Sequence, residues 1–128
     1  MRRIKILRHI FKLRGLGESF VIATKGITYL FLYHRNMRII FILGILAFLF
    51  GLLLRLTGIE LTVLCLTITL VFMAEIFNTA IEMLMSVVSS KYHLRIKLVK
   101  DIAAAVVLIA SLNALAIGYA LFFKKIFP

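Results

Sequence analysis

Glu75-Ile76-Phe77-Asn78-Thr79-Ala80-Ile81-Glu82 interrupts a long apolar run, residues 61–88. Two carboxylates and a carboxamide are unfavourable there: an acid near a bilayer centre costs at least ~2.5 kcal/mol. At about 100° per residue, Glu75, Asn78, Thr79 and Glu82 fall on one face of a helix. Phe72, Met73, Ile76, Phe77, Ile81, Met83 and Leu84 occupy the other faces. The pattern predicts a membrane helix with one polar stripe, turned toward protein or water rather than lipid. An ionisable stripe inside a membrane marks function.

Working outward, the rest of the chain supplies a bilayer setting. Its 128 residues are 63% hydrophobic with a mean hydropathy of +1.10. That is too apolar for a soluble domain and predicts an all-α integral membrane protein. Residues 39–54 form the first clean apolar run, and 37–56 reach the ~20 residues that a span needs. Gly44, Ala47 and Gly51 give it a small face for close helix packing. Thr57-Gly58-Ile59-Glu60 reads as a tight loop before the second span, 61–88. Residues 89–100 read as a short basic loop or a helix extension. The third span, 102–123, is ~33 Å long at the helical rise, with Lys124 and Lys125 anchoring its end.

The amino-terminal segment, 1–36, reads differently. Ile4, Leu7, Ile10 and Phe11 alternate with Arg2, Lys5, Arg8, His9 and Lys12 at helical spacing, as in an amphipathic surface helix. Gly15 and Gly17 are expected to break it. A second helix then runs over 19–33, with Ser19 as its cap, along the membrane surface. One membrane domain over 1–128 accounts for the whole pattern. The single Cys65 has no partner for an internal disulfide and reads as a packing or lipid-facing residue. No cleavable signal peptide is read.

Sixteen basic and five acidic residues give a net charge of +11. In so apolar a chain this excess reflects topology and anionic headgroups rather than nucleic acid. Nine of the basic residues precede Ile39 and four lie in 89–100; Arg55, Lys124 and Lys125 are the other three. The bias predicts a cytoplasmic amino terminus and second loop. The acid stripe then lies in the cytoplasmic half of the second span.

Glu75 and Glu82 stand two turns apart on one face. A carboxylate in low dielectric can serve as a general base; a pair can hold a divalent cation; a polar seam can join helices. Asn78, between them, can orient any of these. Lys97 and Asp101 are spaced for an i,i+4 ion pair. Lys97 and Lys100, close to buried acids and a metal, could also hold phosphate as point charges. Ala103, Ala104 and Ala105 permit close helix approach. His93 reads as a solvated loop residue, and Ser111 and Asn113 as interhelical hydrogen-bonding groups. There is no P-loop, kinase catalytic loop or Cys/His cluster.

Ala74 to Glu82, then Tyr92-His93, then Lys100-Asp101-Ile102-Ala103-Ala104-Ala105, resembles the bacterial diacylglycerol kinase family, which includes the undecaprenol kinases. Lys25-Gly26-Ile27 and Arg35-Asn36-Met37-Arg38-Ile39 are similar to its amino-terminal elements, and the likeness leans toward the undecaprenol kinase branch. The resemblance implies a small trimeric lipid kinase of a bacterial cytoplasmic membrane. It would transfer the γ-phosphoryl group of ATP to the hydroxyl of undecaprenol or diacylglycerol. Glu75 would be the general base, Asn78 a positioning residue, Glu82 a ligand of the Mg²⁺ that accompanies ATP, and Lys100 and Asp101 nucleotide contacts.

Two positions depart from the family pattern. His34 stands where the family carries a metal-binding Glu, and Ser86 where an Asp is common. An imidazole suits Mn²⁺ or Zn²⁺ better than Mg²⁺. Two alternatives follow: a weakened relative that serves in membrane binding or assembly, or a small proton-coupled transporter relaying through Glu75 and Glu82.

Overall fold

The computed structural model describes residues 15–88 and 93–128. Among them four helices follow in order: α1 Leu16–Tyr33, α2 Arg35–Leu53, α3 Gly58–Val88 and α4 Leu94–Ile126. The chain forms two units, Met1–His34 and Arg35–Pro128. The expected amphipathic helix at 1–14, and Lys91 and Tyr92, lie outside the described residues.

In the first unit, α1 begins three residues before the expected start. Gly15 takes the N-cap position, and its carbonyl accepts the Ser19 amide at 3.1 Å. Ser19 is therefore inside the first turn and is not the cap. Gly17 lies in the same turn without breaking the helix. Thr24 and Thr28 turn their hydroxyls onto the carbonyls four residues back, both at 2.8 Å. The helix ends at His34, whose extended backbone stops the ladder.

In the second unit, α2, α3 and α4 are each long and apolar enough to cross a membrane. α3 is the central helix and packs against both others. Gly51 is buried, and Gly44 faces Ile68 so closely that an added Cβ would lie 2.8 Å from its Cγ2. The small face read from the sequence therefore brings α2 onto α3. Outward-facing Leu46, Leu66, Leu70, Leu112 and Leu115 stay exposed, as a hydrocarbon medium allows.

The α2–α3 turn is more ordered than a plain loop. The Leu56 amide reaches back to Gly51 O and the Arg55 amide to Leu52 O, both at 3.1 Å. This is the paired bonding of a Schellman stop. Arg55 takes the left-handed position (φ 56°) that glycine usually fills. Leu56 is buried and folds over Gly51, the hydrophobic contact that accompanies such stops. Thr57 then caps α3. Its Oγ1 accepts the Glu60 amide at 3.3 Å, and Glu60 Oε2 accepts the Thr57 amide at 2.9 Å. That reciprocal capping box makes Gly58, Ile59 and Glu60 the first helical turn, not the loop expected. Lys125, near the end of α4, approaches Glu60 Oε2 at 3.6 Å and ties that end of the bundle together.

α4 starts at Leu94, eight residues before the expected third span. Of the two readings for 89–100, helix extension holds from Leu94 onward. The basic residues Arg95, Lys97 and Lys100 thus ride on a continuous helix.

Candidate active site

The polar stripe on α3 separates into two environments. Glu75 and Thr79 are buried, at 6% and 4% exposure, while Asn78 is half-buried and Glu82 exposed. The remaining faces carry Met73, Phe77, Met83 and Leu84 outward. The fold thus covers the stripe at Glu75 and Thr79 and leaves Glu82 open. The buried Ala103 belongs to this half of the bundle, whereas Ala104 and Ala105 are exposed. Only the first of the three alanines meets the expectation of close approach.

Asn78 Oδ1 is buried and has no hydrogen-bond donor among the described residues. A buried acceptor without a donor loses about 1–3 kcal/mol of solvation that nothing returns. Such an atom one turn from a buried acid is a place where an incoming hydroxyl would be welcome.

Seven residues of helix put Glu75 and Glu82 ~10 Å apart along the axis. Among the described residues no three His, Cys, Asp or Glu side chains gather into a metal cluster. Mg²⁺, however, keeps waters and is commonly held by one or two carboxylates together with substrate phosphates. The exposed Glu82 fits that mode of holding a metal that arrives on a nucleotide.

At the start of α4, Lys97 Nζ and Asp101 Oδ2 form the expected i,i+4 pair at 2.6 Å. Both side chains are more than half exposed, so the pair adds little to stability. Lys100 and His93 are also exposed. His34 belongs to the first unit, where its ring lies 6.0 Å from that of Tyr29. Ser86, in the position of the family Asp, donates its hydroxyl to Met83 O at 2.7 Å. Ser111 is half-buried, but Asn113 faces outward and makes no hydrogen bond among the described residues, against the expectation for it.

One feature of this unit was not anticipated. A cleft of about 290 Å³ runs between the three spans, lined by Gly44 and Ala47 of α2, Thr67 and Val71 of α3, and Ala114 and Gly118 of α4, among others. Its signal in the sequence is the set of small residues on separate helices, which one helix at a time reads only as packing.

A family model described as prokaryotic diacylglycerol kinase matches residues 21–122, a stretch that holds all the candidate site residues. A diacylglycerol kinase of Synechocystis sp. is 38% identical over 105 residues, which are 81% of this chain and 60% of that protein. An undecaprenol kinase of Bacillus subtilis is 30% identical over 118 residues, 92% of this chain and 96% of that protein. The chain thus spans about three-fifths of the first relative and nearly all of the second. With the family model matched across all three spans, the chain belongs to the prokaryotic diacylglycerol kinase family of membrane lipid kinases.

Proposed function

We propose that this chain transfers the γ-phosphoryl group of ATP to the hydroxyl of a membrane lipid, undecaprenol or diacylglycerol, at the cytoplasmic face. The observation that carries the reading is Glu75: an acid buried in an apolar span, beside the undonated carbonyl of Asn78. The lipid hydroxyl donates to Asn78 Oδ1 on arrival. Its oxygen then attacks the γ-phosphorus, its proton passes to Glu75, and the bond from the γ-phosphorus to the bridging oxygen of ADP breaks. Phosphoryl transfer needs chiefly positioning and charge neutralisation, so a site without a P-loop is adequate.

Glu82 supplies the carboxylate for the cation carried by ATP, which neutralises phosphate charge when bound. Lys100 and Asp101 meet the nucleotide from the exposed start of α4. Lys97, already paired with Asp101, keeps that carboxylate from repelling the triphosphate. His34 occupies the remaining ligand position by resemblance. The bias of basic residues supports an amino terminus and site on the cytoplasmic side of a bacterial membrane.

The active form is a homotrimer by resemblance. Asn113 supports association between copies, since a carboxamide on the outward face of an apolar span gains from a partner there.

A phosphotransfer assay of purified protein with Mg-ATP, and undecaprenol and diacylglycerol in parallel, tests the proposal. Lipid-dependent formation of ADP and of a phosphorylated lipid is expected. Absence of transfer to either alcohol, by folded protein, would favour the second reading, a weakened relative. Ser86 supports that reading, being bonded to its own helix rather than presented as a ligand.

A further inference from the structure

The cleft between the spans has a direction. Leu64, Thr67, Ile68 and Val71 form its wall on α3. The next residue of that helical row is Glu75, one turn or ~6 Å further on. At the opposite end, Phe122 of α4 meets Phe50 of α2, with ring centroids 5.3 Å apart. Those rings bridge α2 and α4, which elsewhere stand on either side of the cleft. Its lining is apolar: Thr67 turns its hydroxyl back onto Val63 O at 2.8 Å, leaving Ser111 as the remaining polar side chain. Small residues make the space. An added Cβ at Gly118 would meet nothing nearer than the Phe122 ring at 3.9 Å.

We infer that this cleft holds the hydrocarbon tail of the acceptor lipid, with the Phe50–Phe122 bridge as its floor and a determinant of tail preference. This rests on the kinase reading given above. Three features select that occupant. The cleft lies within the spans, where the surrounding medium is hydrocarbon. Its α3 wall continues in the same helical row to the proton acceptor, so a tail seated there brings its own hydroxyl toward Glu75. Its far end is bridged: a flexible tail can stop at the rings, whereas a helix from a second copy, laid along the groove, would run into them.

Gly118→Leu fills the cleft above the floor without a backbone clash and with better helix propensity. Ala47→Leu fills it from the opposite wall. Each is assayed with dioctanoylglycerol against dioleoylglycerol, and with farnesol against undecaprenol. The expected result is a loss of kcat/KM at least tenfold larger for the longer acceptor of each pair, with the KM for Mg-ATP within twofold of the unsubstituted protein. Equal losses for short and long acceptors, or none, would overturn the inference while leaving the kinase reading intact. Failure of the unsubstituted protein to phosphorylate any acceptor would instead strike the kinase reading.

A readout independent of turnover separates the two. A diacylglycerol carrying a diazirine at the end of one acyl chain is photolysed with the protein in bilayers, and the adducts are mapped by mass spectrometry. Adducts concentrated on Phe122, Gly118 and Ala47 support the cleft. Adducts spread over Leu112 and Leu115 on the outward face of α4, or crosslinks showing a second copy in the cleft, overturn it.

Discussion

The first turn and the middle of α3 carry the same kind of residue in opposite conditions. Glu60, at its start, is fully engaged: it closes a capping box with Thr57 and meets Lys125. Glu75, four turns later, is more deeply buried and has no hydrogen bond or ion pair among the described residues. Beside it Asn78 keeps an acceptor without a donor. An acid whose oxygens are satisfied within the fold stabilises that fold. An acid left without partners in an apolar span is tolerated only where something else supplies them. The comparison assigns structure to the first turn of α3 and chemistry to its middle.

The largest effect should come from removing the unsatisfied acid. Glu75→Gln keeps shape and removes the proton acceptor, so lipid phosphorylation should fall by about 10²–10⁴-fold with helix content and oligomeric state unchanged. Turnover near that of the unsubstituted protein would take Glu75 out of the mechanism and dissolve the contrast.

A smaller shift is expected from His34→Glu, which restores a hard oxygen where an imidazole now stands. The Mg²⁺ concentration for half-maximal activity should drop several-fold, and the Mn²⁺/Mg²⁺ activity ratio should fall. An unchanged ratio would mean that the site draws no ligand from His34.

At the satisfied end the contrast predicts stability effects without catalytic ones. Thr57→Ala removes the cap of α3 and should cost about 1 kcal/mol, read as a lower thermal midpoint in detergent, with KM for both substrates retained. A change in KM with no change in midpoint would show that this end also serves the reaction. Smallest of all, Arg55→Gly relieves a left-handed backbone position and should raise the midpoint by a degree or two, since the relief is on the order of 1 kcal/mol and is partly offset by glycine's chain entropy.

Much of this was legible because it is local. Helical period alone put Glu75, Asn78, Thr79 and Glu82 on one face, put Gly44 and Gly51 on a small face suited to close packing, and paired Lys97 with Asp101. The capping box is also legible, as Thr-x-x-Glu at 57–60, although the same four residues read as a tight loop. Ser19 misleads in the opposite way: its residue type favours caps, and its backbone lies inside the first turn.

What the sequence determined by itself is therefore the set of spans and the residues that share a helix face, since both follow from the period of one helix in an apolar medium. Tertiary structure alone decided which member of a face is covered. Glu75 and Glu82 are equivalent by period, yet only the first is buried. It alone also decided that small residues on three helices leave a cleft, because a void belongs to the space between helices and to no single one of them.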